Sequence, residues 1–403
     1  MKVILCHPGT QYSQYLASQL YHKNLLLNFY TGLAFGHDHF LVKLLKFLPK
    51  KISQKAEARI IRTLPDRFIK RSIYQELKSL YLIRQGANPE IIYYKRNKNV
   101  QTNIPDFELN KADVVIGFDT ASWILAERCK QLKKPFILDV SIGHPVSKNK
   151  IYSNLSEKYP EWSEQILIKE QKLLDLEQLE AELAFKIVAP SQFVKDTLIE
   201  NRISANKILV NPFGTNTEYF EYHEKKSSEK LRFLFFGGLN IRKGLPFLLS
   251  VWRTHNFENA ELTIAGFGKL PAVYHLPKNV KNLGKISLDE RNSLFKSHDV
   301  FIFPSNFEGF AQVQIEAAAC GLPIITTPNA GGLEIVKDDI NGYIIESENE
   351  VELSNSIMKF ITNPSLLSKM SKNQKNIIGN FTWEAYGNRW ETIINNVINE
   401  GAY

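Results

Sequence analysis

The chain has 403 residues, 44% of them hydrophobic, and a formal net charge of +8. Two domains of ordinary size are expected from that length, and no run approaches the ~20 apolar residues of a helical membrane span. Three scattered cysteines, Cys6, Cys129 and Cys320, lack any C-x-x-C spacing, which suits a reducing cytosol and argues against disulfides or a structural zinc.

Lys2–Cys6 reads as a first strand, and its apolar start is too short for a signal peptide. His7-Pro8-Gly9-Thr10 breaks it, and Ser13–Tyr21 follows as a helix. A strand, a Gly-containing turn and a helix is how a doubly wound domain begins. The G-x-G-x-x-G fingerprint is missing, so a dinucleotide cofactor is not expected. Leu25–Thr31 is a second strand, and a basic helical region then runs to about Gln85. Between Lys43 and Arg71 ten Lys and Arg face only Glu57 and Asp66, with Phe40, Leu41, Leu44, Leu45, Phe47 and Leu48 preceding and interleaved. Such a stretch reads either as an amphipathic surface for an anionic membrane or as a solvated helix face. No nucleic-acid motif accompanies the charge, so nucleic acid is not an expected partner.

Further strands are expected at Ile91–Tyr94, Asp113–Gly117 and Phe136–Val140, with a helix over Ser122–Leu132. Glu161–Phe185 predicts one long helix whose acidic face, from Glu170 to Glu182, is solvated and whose leucines pack. Its carboxylates have no metal-ligand context. Ile187–Ser191 is a strand, Gln192–Asn201 a helix and Ile208–Asn211 a strand, and the charged, turn-rich Glu221–Lys230 marks a linker. Leu231–Phe236 opens the second half as a buried strand. Gly237–Gly244 and a helix from Leu245 follow. Arg242 and Lys243, after a glycine turn and beside a helix N-terminus, combine cationic and amide donors as a pyrophosphate site does; a solvated basic turn is the alternative. Glu261–Ala265 and Val280–Leu283 are strands, Leu288–Lys296 a helix, and Thr382 an N-cap for the last helix.

The densest signal is Asp299–Ile345. The apolar Val300–Phe303 predicts a buried parallel strand. A Gly-containing loop follows, then a helix from Ala311 to Gly321 and a strand at Leu322–Ile325. Glu308 lies on the loop and Glu316 on the helix, among Ile315, Ala317, Ala318 and Ala319. A carboxylate in such company is a satisfied core acid or an acceptor for hydroxyl donors such as those of a ribose. The amides of Phe310, Ala311 and Gln312 open the helix and offer an anion site.

With Glu308-Gly309-Phe310, Glu316-Ala317, Cys320-Gly321-Leu322-Pro323, Gly331-Gly332, Glu334-Ile335-Val336 and Asn341-Gly342, this stretch resembles the family-4 retaining glycosyltransferases. Ser191-Gln192-Phe193 and Asn211–Asn216 with Phe220 extend the likeness, which is strong from about Lys186 onward. The resemblance implies an α/β architecture of two Rossmann-like doubly wound domains facing across a cleft, the GT-B fold. Residues 1–215, completed by a returning helix at 381–403, would form the acceptor-side domain, and 216–380 the nucleotide-sugar domain. It implies that Glu308 contacts the donor sugar, Glu316 the ribose, Arg242 and Lys243 the diphosphate, and that the base is read through backbone around Ile286. Gly9 would let backbone approach a phosphate, and His144 would point into the cleft, so that Glu308, His144, Arg242 and Lys243 form the catalytic set. Two departures stand out. Gly238 occupies a donor-site position where the family usually has Arg, with Arg242 as the replacement charge, and Asn216 stands where Asp is more usual. The implied activity is retaining transfer of a hexosyl group from a nucleotide-diphosphate sugar to a saccharide or lipid-linked acceptor in cell-surface polysaccharide or glycolipid synthesis. No metal or other cofactor is implied, and the expected location is the cytoplasm, with peripheral contact at the inner face of the plasma membrane. The alternatives are a nucleotide-sugar epimerase of the same fold and a non-catalytic GT-B binding or partner subunit.

Overall fold

Continuous apolar runs become the centres of two parallel sheets. Val3–His7 (β1) is buried at every position, and so are Val114–Phe118 and Phe136–Asp139. This is the pattern of strands covered on both faces by helices. The computed structural model describes all residues except 10–11, 45–52, 54–55, 166–167, 226–228 and 402–403. The first sheet continues through Leu26–Thr31 (β2), Ile69–Arg71 (β3), Val114–Phe118 (β4), Phe136–Asp139 (β5), Lys186–Ala189 (β6) and Ile208–Val210 (β7). Its order is β3-β2-β1-β4-β5-β6-β7, all parallel. The second sheet uses Leu231–Phe236 (β8), Ala260–Ala265 (β9), Val280–Gly284 (β10), Val300–Phe303 (β11), Ile324–Thr326 (β12) and Gly342–Ile344 (β13). It runs β10-β9-β8-β11-β12-β13, again all parallel.

In each sheet the chain reverses its direction of travel beside the first strand: between β1 and β4, and between β8 and β11. Open α/β sheets take ligands at the carboxyl ends of strands beside such switch points. The residues after β4, β8 and β11 are therefore the ones to follow. The helices that matter below are Ser13–His22 (α1), Ile73–Arg84 (α2), Pro89–Thr102 (α3), Trp123–Gln131 (α4), Pro145–Lys158 (α5), Gln171–Leu183 (α6), Gln192–Glu200 (α7), Leu245–His255 (α8), Leu288–Ser297 (α9) and Gln312–Ala319 (α10).

Three local expectations are corrected, and one helix is added. Ile91–Tyr94 is not a strand but part of α3, because the Asn88 side chain accepts from Glu90 N and Pro89 takes the first turn; a capped start outweighs the β-propensity of a short Ile-Tyr run. The single helix expected over Glu161–Phe185 is a 3₁₀ turn at Pro160–Gln165 and the separate α6. A helix not anticipated, α5, begins at Pro145 with His144 as its cap. The basic region is not one helical block: Phe40–Leu44 and α2 are helical, but Ile60–Ile61 and Ile69–Arg71 are strands. Lys46, Lys50, Lys51 and Lys55, with Leu45, Phe47 and Leu48, lie outside the described residues.

The last helix, Trp383–Glu400 (α11), returns to the first domain. Thr382 caps it by accepting from Ala385 N at 3.0 Å. Trp383 stacks on Tyr15 of α1 at 4.1 Å, Lys23 Nζ meets Glu391 at 2.8 Å, and the Tyr386 hydroxyl donates to Asp139 at 3.2 Å.

Candidate functional site

After β8, the Asn240 side chain accepts from Lys243 N at 3.1 Å and starts a single turn, Ile241–Lys243. The turn ends at Gly244, whose φ is +70° and where a Cβ would lie 1.9 Å from Pro304 O. Only glycine permits both the backbone sign and that approach. The turn is thereby pressed against the exit of β11, and its two cations reach the next loop. Arg242 Nη1 and Lys243 Nζ both meet Oε1 of Glu308. Arg242 also donates to Phe307 O at 2.9 Å, and Ser305 Oγ to Glu308 Oε1 at 3.3 Å.

These are not solvated surface charges. The side chains of Arg242, Lys243 and Glu308 are 24%, 14% and 10% exposed. Burial pushes the Glu308 carboxyl up, but Lys243 and Arg242 beside it more than offset this and hold it below its ordinary value. Burial likewise pulls the Lys243 ammonium down against the pull of Glu308. Two cations sharing one carboxylate leave an excess positive charge in a poorly solvated place, which an anion would neutralise.

The first domain supplies the opposite wall. Asp119 follows β4, and its Oδ2 accepts from Ser141 N at 3.0 Å and Ser141 Oγ at 2.8 Å. Burial raises its carboxyl to about 6 despite those bonds. Lys148 of α5 and the ion-paired Lys169 and Glu177 stand beside it, and the Tyr152 phenol reaches Arg242. Burial lowers the Lys148 ammonium below its ordinary value. Asp119, Lys148, Lys169 and Glu177 enclose, with Arg242, Glu308 and Phe310, a cavity of about 330 Å³ between the domains.

The two walls are fastened together around it. Ser191 Oγ donates to Gly309 O at 2.6 Å, Gln192 N to Glu334 Oε1 at 2.6 Å, and Gln312 Nε2 to Gly214 O at 2.7 Å. Gly309 passes so close to the first domain that a Cβ there would sit 1.8 Å from Ser141 O.

Of the residues expected from sequence, Arg242, Glu308 and Phe310 line this cavity, and Lys243 is tied to it through Glu308. Glu316 does not. It is buried on α10, and both of its oxygens accept from Arg291 Nη1 of α9, at 2.9 and 2.8 Å. Burial raises its carboxyl while Arg291 opposes the shift. Each oxygen retains lone pairs for a further donor. His144 is buried, its Nδ1 accepts from Val146 N as the α5 cap, and its Nε2 bonds Gln178 at 2.9 Å; it does not line this cavity but a small adjoining one, with Asp119 and Glu177. The Ala311 amide is also not free for an anion, because it donates to Ala330 O at 3.3 Å. Gly9 N donates to His7 Nδ1 at 2.8 Å in the turn after β1. Gly238 leaves room for Asn240, whose Nδ2 would be 2.7 Å from a Cβ at 238; an Arg there would displace the group that caps the Arg242 turn. Ile286 is half-buried just before α9.

Asp119, Lys148, Lys169, Glu177 and Arg291 were not anticipated. Only the Ser141-Ile142-Gly143-His144-Pro145 loop after β5 hinted at where some of them sit. Among the described residues no group of three or more His, Cys, Asp and Glu is placed to hold a metal ion, and no helix is long and apolar enough to cross a membrane.

Residues 217–377 match the family model described as Glycosyl transferases group 1. A glycosyltransferase of Methanocaldococcus jannaschii, MJ1178, itself uncharacterized, is 31% identical over 205 residues, 49% of this chain and 56% of its own length. The capsular polysaccharide biosynthesis glycosyltransferase CapM of Staphylococcus aureus is 24% identical over 249 residues, 56% of this chain and 65% of its own. The chain thus spans a little over half the length of these curated relatives. Among solved structures, Alr3699/HepE of Anabaena in complex with UDP-glucose superposes with a TM-score of 0.62 at 16% identity, covering 98% of this chain and 100% of that one. That likeness is one of shape, and it shows the GT-B fold.

Proposed function

We propose that this chain, whose residues 217–377 match the model described as Glycosyl transferases group 1, moves a hexosyl group from a nucleotide-diphosphate sugar to an acceptor hydroxyl, with retention at the anomeric carbon. The observation that carries the reading is the meeting of the two switch points. Arg242 and Lys243 converge on Glu308 from one sheet, and Asp119 faces them from the other.

In this reading the donor diphosphate lies against Arg242 and Lys243, which stabilise the charge that grows as the glycosidic C–O bond breaks. Glu308 orients those cations and takes a hydroxyl of the transferred sugar. Glu316, steadied by Arg291, accepts from the ribose, and backbone near Ile286 meets the base. The acceptor hydroxyl enters from the first domain and bonds to the anomeric carbon on the face that the diphosphate leaves. Its proton passes to the departing phosphate oxygen, and Asp119 holds the hydroxyl in line. The fastened cleft keeps water from taking the acceptor's place. The name of CapM and the UDP-glucose held by HepE favour a UDP-sugar and a polysaccharide or glycolipid product.

The test is thermal stability against UDP-, GDP-, ADP- and CMP-sugars, with Glu316→Ala alongside. A donor at a hundred times its dissociation constant stabilises the fold by about 2.7 kcal/mol. A shift with one nucleotide series, lost in the variant, is the expected result. No shift with any series, together with no sugar transfer or donor hydrolysis, would favour a non-catalytic binding subunit.

A further inference from the structure

Helix α2 is inside out. The side chains it buries are Glu76 and Ser79, whereas Tyr74, Leu77 and Tyr81, spaced three and four apart on one face, are 70%, 52% and 62% exposed. Glu76 is held from beneath by Arg96 at 3.0 Å and Arg59 at 3.7 Å. An ordinary surface helix would place these groups the other way round.

The apolar ridge is flanked by cations. Residues 67–105 hold eight Lys and Arg against only Glu76 and Glu90. Lys70, Lys78, Arg84, Lys95 and Lys98 are exposed. A groove of about 410 Å³ on one side of α2 includes Lys70, Arg71 and Tyr74, and one of about 290 Å³ between α2 and α3 includes Lys78, Lys95 and Lys98. Neither acid lies on this face: Glu76 is buried, and Glu90 lines a separate cavity behind α3.

We propose that the α2–α3 face seats the protein on an anionic lipid bilayer, with Tyr74, Leu77 and Tyr81 in the interface and the flanking lysines against the headgroups. Tyrosine is a residue of the membrane–water boundary, and lysine stems lie along apolar surface while their ammonium groups reach charge. A second copy of the chain is a poor occupant, because a twofold contact would set one cationic face against another. The seat also has a use, which rests on the transfer reading above. Behind α3 lies a cavity of about 190 Å³ with Tyr93, Tyr94, Trp123, Leu173 and Leu176 in its walls. It shares Thr120, Lys169 and Glu177 with the cavity between the domains. A lipid-linked acceptor entering at α3 would therefore rest its apolar part against Tyr93, Trp123, Leu173 and Leu176, with the wall of Thr120 and the Lys169–Glu177 pair between it and Asp119.

Co-sedimentation of the full chain with vesicles tests the seat. Binding is expected to vesicles of mixed phosphatidylglycerol and phosphatidylcholine, to weaken with salt, and to be absent with phosphatidylcholine alone. Tyr74→Ser/Leu77→Ser/Tyr81→Ser should weaken it at least about tenfold, and Lys78→Gln/Lys95→Gln/Lys98→Gln roughly a hundredfold, with both variants melting as the parent does. Equal binding to neutral vesicles, or no loss in either folded variant, overturns the proposal. So does a parent dimer that the variants convert to monomer, or single-stranded RNA competing the protein off the vesicles. The donor-induced thermal shift is read on the same variants. A shift that persists while vesicle binding fails leaves the transfer reading standing, and the reverse leaves the seat standing without it.

Discussion

The two switch points differ in how they are assembled. In the second domain, Arg242, Lys243, Ser305 and Glu308 come from two loops that leave adjacent strands, and every member lies within a few residues of a strand end. In the first, Asp119 follows β4, Ser141 follows β5, Lys148 sits on α5, and Lys169 and Glu177 bracket the start of α6. One wall is a local motif repeated off neighbouring strands. The other is drawn from four separate elements. Recognition of a constant chemical group such as a diphosphate can be built locally, whereas recognition of a variable acceptor is spread over whatever helices cover the first sheet.

That contrast can be broken most forcefully at Glu308. Glu308→Gln should lower the transfer rate by about a thousandfold, the scale of losing one group that orients transition-state charge, while nucleoside diphosphate still stabilises the fold; a rate near the parent's would remove Glu308 from the mechanism. Next in size is Arg242→Met. Losing one charge-assisted contact should weaken nucleoside diphosphate binding by about 2 kcal/mol, roughly thirtyfold, read by calorimetry. Unchanged affinity would place the diphosphate elsewhere.

Asp119→Asn tests the other wall, and pH is its readout. Burial raises this carboxyl from 3.8 to about 6. The native chain therefore binds more protons than the unfolded one between those values. The group's stabilising contribution is present below the lower value and is lost as pH rises through about 6. Transfer should rise with pH through the same region as the carboxylate forms, and the variant should flatten both limbs while leaving donor affinity alone. A parent profile without a limb near 6 would count against Asp119. The smallest effect is at His144. Replacing it with Ala removes a cap and should cost about 1 kcal/mol in denaturant unfolding, with turnover close to the parent's; a large loss of rate would return it to the cleft.

The same asymmetry governed what could be read from residues alone. Leu231–Phe236 and Val300–Phe303 are strands with the bounds their apolar runs predict. Their loops carry Arg242, Lys243 and Glu308 within reach of each other because the strands are neighbours. Ile91–Tyr94 misled because four β-favouring residues sit in a helix begun by Asn88-Pro89. Asp119 lies in an unremarkable strand end, and its partner Ser141 is 22 residues on. Arg291 meets Glu316 across 25 residues through the packing of α9 beside α10, which no periodicity reveals. His144, read as a cleft residue, also stands before Pro at a helix start, where a cap belongs. Groups carried on the loop that leaves a buried strand were legible. Groups whose meaning comes from distant packing were not.

The chain crosses between its domains twice, and the crossings touch. Thr215 N donates to Phe381 O at 2.8 Å, Thr215 pairs with Thr382 as a parallel bridge, and a Cβ on Gly214 would sit 2.5 Å from Trp383 N. A single connecting strand would let one domain both swing and twist against the other. Two strands bound side by side act as a pair of pins on one line, which leaves the swing and suppresses the twist. The gap between Gly309 and Ser141 should then widen and narrow along a fixed arc, and each closure should bring Arg242 and Asp119 back to the same relative position without any search over orientation.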